Sequence, residues 1–225
     1  MNRSAKRWRS ITILVGVVVL LMVPFTVSAG NPNPGVLPPN SSPNGSTYGE
    51  WSARWWQWAL GQPADVNPVL DTDGEFCKQG QAGPVWFLAG TFGGDADRSC
   101  TVPTGKKLFF PLNNTVCIAT EPGETAKEMR ACAKKYADEV DVGGLAAEVD
   151  GVPIQQLEAY RAASPVFDVT LPADNVFGVP ADIYGPAAAD GYYLMLAPLS
   201  RGEHVIHFSA TGFLDVTYRI TVRGK

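Results

Sequence analysis

The chain has 225 residues, with 22 acidic and 18 basic side chains and a formal charge of −4. That balance argues against non-specific nucleic-acid binding, which needs lysine and arginine to neutralise phosphates. The length suits one domain or two small ones and is enough to bury a sizeable core.

At the N-terminus Arg3, Lys6, Arg7 and Arg9 precede an apolar run from Ile11 to Val23, and Val27 and Ala29 stand at −3 and −1 of a cleavage site. This is the pattern of a secretory signal peptide over residues 1–29. The apolar run is shorter than the ~20 residues that a spanning helix needs. No other stretch is uniformly apolar, so no membrane span is expected in the mature chain. Cleavage near Ala29 would release a secreted or periplasmic protein of charge −8, because four basic and no acidic residues leave with the signal. No cysteine follows that site directly, so a lipid anchor is not indicated.

Residues 30–46 are Asn, Pro, Gly and Ser with almost nothing apolar, the composition of a flexible leader. Residues 47–225 then read as a single disulfide-stapled domain. It begins with Thr47 to Gly61, TYGEWSARWWQWALG, where four of the chain's six tryptophans fall within eight positions. Thr47 and Glu50 have the spacing of a capping box, and Gly61 with Pro63 supplies the stop. At about 100° per residue, Tyr48, Trp51, Trp55 and Trp58 share one face, while Glu50, Arg54 and Gln57 lie opposite. A narrow aromatic stripe facing a charged side is ordinary amphipathicity, so the stripe is expected to be core rather than a stacking platform. Trp56 stands at its margin and is the tryptophan expected to be exposed.

A Pro/Asp/Gly-rich loop carrying Cys77 follows, and then Pro84 to Phe92, PVWFLAGTF, whose continuous apolar run predicts a strand buried on both faces. Gly93 to Ser99 reads as a polar loop before Cys100. Lys106 to Leu112 reads as another strand, with Pro111 favouring an edge or a bulge. A second helix is expected to start near Pro122 with Thr120 as cap and to turn Met129, Cys132, Ala133 and Tyr136 inward. Beyond Val142 the period changes. Leu145 to Val149, a turn at Asp150-Gly151, Val166 to Leu171, Tyr192 to Leu196, His204 to Ser209 and Val216 to Val222 are short runs between turn signals. Such spacing predicts a sandwich or barrel. The fold class expected is therefore mainly β with two helices (α+β), an antiparallel, Ig-like or jelly-roll-like sandwich carrying the aromatic helix.

Cys77, Cys100, Cys117 and Cys132 are an even set in an oxidising compartment, which predicts two disulfides. Three pairings are possible; the sequential one, Cys77 with Cys100 and Cys117 with Cys132, is the expected one. Zinc is disfavoured, because there is no C-x-x-C pair.

The segments EWSARWWQWAL, GPVWFLAGTFG, LFFP and DGYYLMLAPLSRGEH resemble a family of exported bacterial proteins with no assigned activity. The resemblance covers nearly the whole mature chain. It implies secretion and a shared fold, and it transfers no catalytic residue.

Candidate chemistry is sparse. Asp71 and Asp73 in DTDGE, and Asp95 and Asp97 in GDAD, are oxygen ligands in loops. They could hold calcium or act as an acid–base pair, but Asp beside Gly is first of all a turn former. His204 and His207 are three apart in a strand and so point to opposite faces, which does not suit one shared metal. No nucleophile motif is present. Two function classes remain. The first, and the expected one, is a secreted non-catalytic binding or interaction module, with a glycan or another envelope component as the ligand that fits the compartment. Trp56, Asp71, Asp73, Asp95 and Asp97 are its candidate contacts, and no cofactor is required. The alternative is a secreted hydrolase using loop carboxylates or a histidine.

Overall fold

The computed structural model describes residues 33 and 35–224; the signal peptide expected over residues 1–29 lies outside them. Thr47 and Glu50 form the expected capping box. The Glu50 amide donates to the Thr47 hydroxyl at 3.3 Å and the Thr47 amide donates to the Glu50 carboxylate at 2.7 Å. Helix α1, Tyr48–Leu60, follows. Three of its indole N–H groups each tie down a different segment. Trp51 donates to the Pro43 carbonyl at 2.9 Å, Trp55 to Leu88 at 2.9 Å and Trp58 to Gln79 at 2.8 Å. A large apolar body with one polar handle suits that task.

Residues 35–46 are not the free leader that their composition suggested. Val36 bridges to Leu196, the Leu37 amide donates to the Met195 carbonyl, and the Tyr48 hydroxyl donates to the Leu37 carbonyl. Two apolar residues and Pro43 suffice to dock the segment along α1. Trp56, expected to be exposed, retains only 6 % of its accessible surface, set edge-on to Trp55 and close to the buried Tyr193 hydroxyl.

The first strands depart from the sequence reading in instructive ways. The apolar run gives only β1, Val85–Phe87. The Leu88 amide still donates to the Phe109 carbonyl at 3.0 Å, but the Leu88, Ala89 and Gly90 carbonyls accept from Trp55 and Arg98. The expected polar loop is instead the start of β2, Gly94–Pro103, with Ala96, Arg98, Cys100 and Val102 inward. β3 runs over Lys107–Ile118 with its register shifting between Pro111 and Asn113, the bulge that a strand proline needs. Helix α2 is Ala126–Asp138, capped by Thr125 and Glu128 rather than by Thr120. The Glu124 carboxylate accepts the Thr120 and Glu121 amides, so the chain turns once before the helix starts. Met129, Ala133 and Ala137 face inward, whereas Tyr136 is half exposed.

β4, Leu145–Val149, and β5, Val152–Pro153, form a hairpin across Asp150 and Gly151. Both turn residues have positive φ, +53° and +75°, as two-residue hairpin loops of the primed type require. β6 is Arg161–Ala163, β7 Phe167–Leu171, β8 Asp182–Leu196, β9 Gly202–Ala210 and β10 Leu214–Arg223. One sheet has the order β1-β3-β8-β6, with β7 also on β8; the other has the order β2-β10-β9-β4-β5. Most pairs are antiparallel, but β1 with β3 and β2 with β10 run parallel. The protein is thus mainly β with two helices, and the aromatic helix packs on the first sheet. Phe110 meets Phe208 between the sheets at a ring separation of 5.0 Å, while Phe109 stacks on Tyr193 at 5.4 Å and meets Tyr48 of α1 at 5.9 Å. Gly49 allows α1 to lie this close, since a Cβ there would stand 2.2 Å from the Ala163 carbonyl oxygen.

The bridges are Cys77 to Cys100 and Cys117 to Cys132, with Cα separations of 5.9 and 6.1 Å. The first fastens the loop before β1 to β2, and the second fastens α2 to β3. Among the described residues no helix is long and apolar enough to cross a membrane.

Candidate functional site

The four candidate carboxylates are placed in two neighbouring strips. The Thr72 and Asp73 carbonyls accept the Asp97 and Ser99 amides, so the DTDGE loop runs along the edge of β2. Their side chains, however, have local work. Asp71 accepts the Asp73 and Gly74 amides on one oxygen and the Phe76 amide on the other, at 3.0, 2.8 and 2.9 Å. Burial acts to raise its pKa, but these amides outweigh burial and hold the carboxyl below the ordinary carboxylate range. Asp73 accepts the Glu75 amide. Asp97 makes a two-pronged pair with Arg219 at 3.0 and 3.1 Å, and Asp95 lies opposite Asp215 in the β2–β10 register. Among the described residues no three His, Cys, Asp or Glu side chains gather closely enough to hold a metal ion. Trp56 is buried and adds no aromatic surface to these loops.

The histidines do point to opposite faces of β9. His207 turns outward to Asp215 at 2.9 Å. His204 is largely covered, with 12 % of its side chain accessible, and joins three segments. Its Nδ1 lies 2.8 Å from Asp150 Oδ2, while Nε2 lies 3.2 Å from the Ser200 hydroxyl and 3.1 Å from the Ser200 carbonyl oxygen. Asp150 Oδ1 also accepts the Val205 amide. Although burial acts to raise the Asp150 pKa, His204 and that amide bring it below the ordinary value. The order carboxylate, imidazole, hydroxyl is that of a nucleophile with its base. The Ser200 carbonyl oxygen competes for the same ring nitrogen, since Nε2 can donate to it or accept from the hydroxyl but not both. As a clamp, the same array ties the β4–β5 turn to the β8–β9 connection. Asp150 was read only as a turn residue, because it is the β4–β9 pairing that brings it to His204; Ser200, four residues before His204, carries no motif.

Among the depressions of the described residues, two on the first sheet differ sharply in character. Beside α2, a cleft of about 400 Å³ is lined by Arg130, Lys134, Arg161, Ser164 and Asp190 over an alanine floor. Arg161 is already committed there. It grips the buried Asp190 with two nitrogens at 3.0 and 2.9 Å and reaches Asp138 with the third at 2.8 Å. Those carboxylates raise the Arg161 pKa further above its already high ordinary value.

The second depression is apolar. A groove of about 520 Å³ is walled by Val116 and Ile118 of β3, Leu171 of β7, Tyr184 of β8 and the β7–β8 loop, from which Phe177, Val179 and Pro180 project. Asn175 builds that loop from within. Its amide nitrogen donates to the Pro172 and Val179 carbonyls, both at 2.7 Å, and its oxygen accepts the Phe177 amide at 3.1 Å. The Tyr184 hydroxyl donates to the Pro180 carbonyl at 3.0 Å. The loop so braced holds Phe177 with 50 % of its surface accessible. Sequence reasoning missed this site because its residues come from three separate segments, none of which carries a motif. The loop's two valines, phenylalanine and proline were a legible sign of apolar surface.

No family model, curated protein or solved structure matches the chain.

Proposed function

We propose that the mature chain is an exported, non-catalytic binding module that takes the apolar part of an extracellular or envelope ligand in the groove beside the β7–β8 loop. The apolar groove carries this reading. Loops that expose large apolar side chains while being held from inside by a buried asparagine are a costly arrangement without a ligand, and such concave apolar sites are where small molecules bind. The lining favours an acyl chain or an apolar peptide side chain over a sugar, because only Thr120 and Tyr184 offer hydroxyls and the Tyr184 proton is already committed. Export is supported by the signal pattern at residues 1–29 and by two disulfides, which persist in oxidising compartments. Membership of the exported bacterial family that the motifs resemble belongs to the same proposal.

A fluorescent fatty-acid analogue titrated against the purified protein tests it. Saturable binding is expected, weakened about tenfold by Phe177→Ser, which corresponds to about 1.4 kcal/mol of lost contact, with the melting temperature unchanged. Absence of saturable binding, or equal binding by the variant, would remove the groove from the account.

The Asp150, His204 and Ser200 array favours the hydrolase reading as a second one. Turnover of an ester panel that disappears in His204→Ala, with the fold intact, would establish it in place of the clamp.

A further inference from the structure

We propose that the cleft beside α2 is a binding site of its own, separate from the apolar groove, and that it takes a small monocarboxylate with a short apolar stem. Charge sets this cleft apart. Acidic side chains outnumber basic ones by 22 to 18 in the whole chain, yet α2 carries four basic side chains against two acidic ones. Arg130 and Lys134 stand four residues apart and so share one face of the helix. Both line the cleft, where they meet Arg161 of β6, Ser164 and Asp190.

The lining offers more donors than the protein itself uses. Arg161 spends its Nε hydrogen on Asp190, its Nη2 hydrogens on Asp190 and the Lys134 carbonyl, and one Nη1 hydrogen on Asp138. One of its hydrogens is left. Lys134 gives one hydrogen to Asp138 and keeps the others. Arg130 is exposed, and among the described residues no carboxylate or carbonyl holds it. Ser164 retains only 8 % of its accessible surface, and its hydroxyl oxygen accepts the Ala189 amide at 2.9 Å, while among the described residues no acceptor takes its proton. An unpaired arginine and an unspent buried hydroxyl in one cleft are donors suited to an oxyanion.

The charges decide which oxyanion. Arg130, Lys134 and Arg161 face Asp138 and Asp190, so the network keeps one positive charge, that of Arg130. One negative charge completes it. A dianion would bring a second negative charge up to the Asp190 carboxylate, with no cation left to meet it. The planar Arg130 fork matches both oxygens of a carboxylate. Ala133, Ala188 and Ala189 form a buried floor with short side chains, and about 400 Å³ lies near the lower end of small-molecule sites. The stem that fits is therefore short and apolar.

The test is an amide chemical-shift titration of the purified protein with butyrate, with butyramide as the neutral counterpart and with ethyl phosphate, a dianion at about pH 8. Saturable shifts at Arg130, Lys134, Ser164 and Ala189 are expected with butyrate, none with butyramide and weaker binding with ethyl phosphate. Arg130→Gln should weaken butyrate about tenfold or more, as the loss of a charge-assisted hydrogen bond implies. Lys127→Gln makes the same charge change on the same helix but outside the cleft, and should leave the affinity unchanged. Phe177→Ser should leave it unchanged too, so that the cleft and the groove stand or fall separately. The proposal is overturned by absence of saturable shifts, by equal shifts with butyramide, by tighter binding of ethyl phosphate than of butyrate, or by equal weakening in Lys127→Gln and Arg130→Gln.

Discussion

Arg98 shows at the residue scale how a polar side chain can be core. It is buried to 1 % exposure, and its guanidinium donates to the Asp71, Ala89 and Gly90 carbonyls at 2.7, 2.6 and 3.1 Å and to the Tyr218 hydroxyl at 2.9 Å. The charge is met by backbone dipoles drawn from two loops and by one aromatic ring. Arg98→Met keeps the length but strips donors from at least two carbonyls, each worth about 1–3 kcal/mol. A loss of roughly 3 kcal/mol or more in urea unfolding is therefore expected, and a near-neutral change would mean water replaces the guanidinium. Asp71 makes a pH-dependent counterpart. Its folded pKa is depressed, so its contribution is present above the ordinary carboxylate pKa of about 4 and disappears as pH falls through the folded value. Asp71→Asn should thus be less stable than wild type at pH 7, with the gap narrowing at pH 3; an equal gap at both would show that charge is not what matters. The sequence made turn formation legible at Asp71, because Asp beside Gly has that habit. It could not reveal Arg98, since GDADRSC has the composition of a loop.

At the scale of elements, local chemistry was readable where the partner lies within a few residues. The α1 capping box and the Asp150-Gly151 turn are fully local, and both stand as read. β2 was hidden because its inward positions are Ala96, Arg98, Cys100 and Val102, an alternation with an arginine in it, and its partner β10 is more than a hundred residues away. The start of α2 was misplaced although Thr125 and Glu128 repeat the Thr47 and Glu50 spacing; Pro122 drew the reading to an earlier turn. This helix buries little, with Met129, Ala133 and Ala137 inward and Cys132 bonded to Cys117. Replacing both Cys117 and Cys132 by Ala should cost about 2–4 kcal/mol for a loop of this length. Hydrogen exchange should show protection lost first in α2 while β9 and β10 keep theirs. Uniform loss across the molecule would contradict that local role.

For the whole molecule, the class was legible because short alternating runs between turn signals dictate stacked sheets, and the aromatic helix had to cover one of them. Which strands pair in parallel was not, since β1 with β3 and β2 with β10 depend on contacts that no turn announces. The candidate site was the least legible part. Trp56 was singled out as surface from its place at the margin of the stripe, whereas the helix packs so that this margin too is buried. The apolar groove exists only once β3, β7 and the β7–β8 loop have met. Its role as the ligand site is the account's central claim. Amide and methyl chemical-shift mapping of the purified protein during titration with the fluorescent fatty-acid analogue tests that claim most directly. Shifts concentrated at Val116, Ile118, Leu171, Phe177, Val179 and Tyr184 are predicted; shifts centred on His204, on the Arg161 cleft or on the DTDGE loop, or no shifts at all, would contradict it.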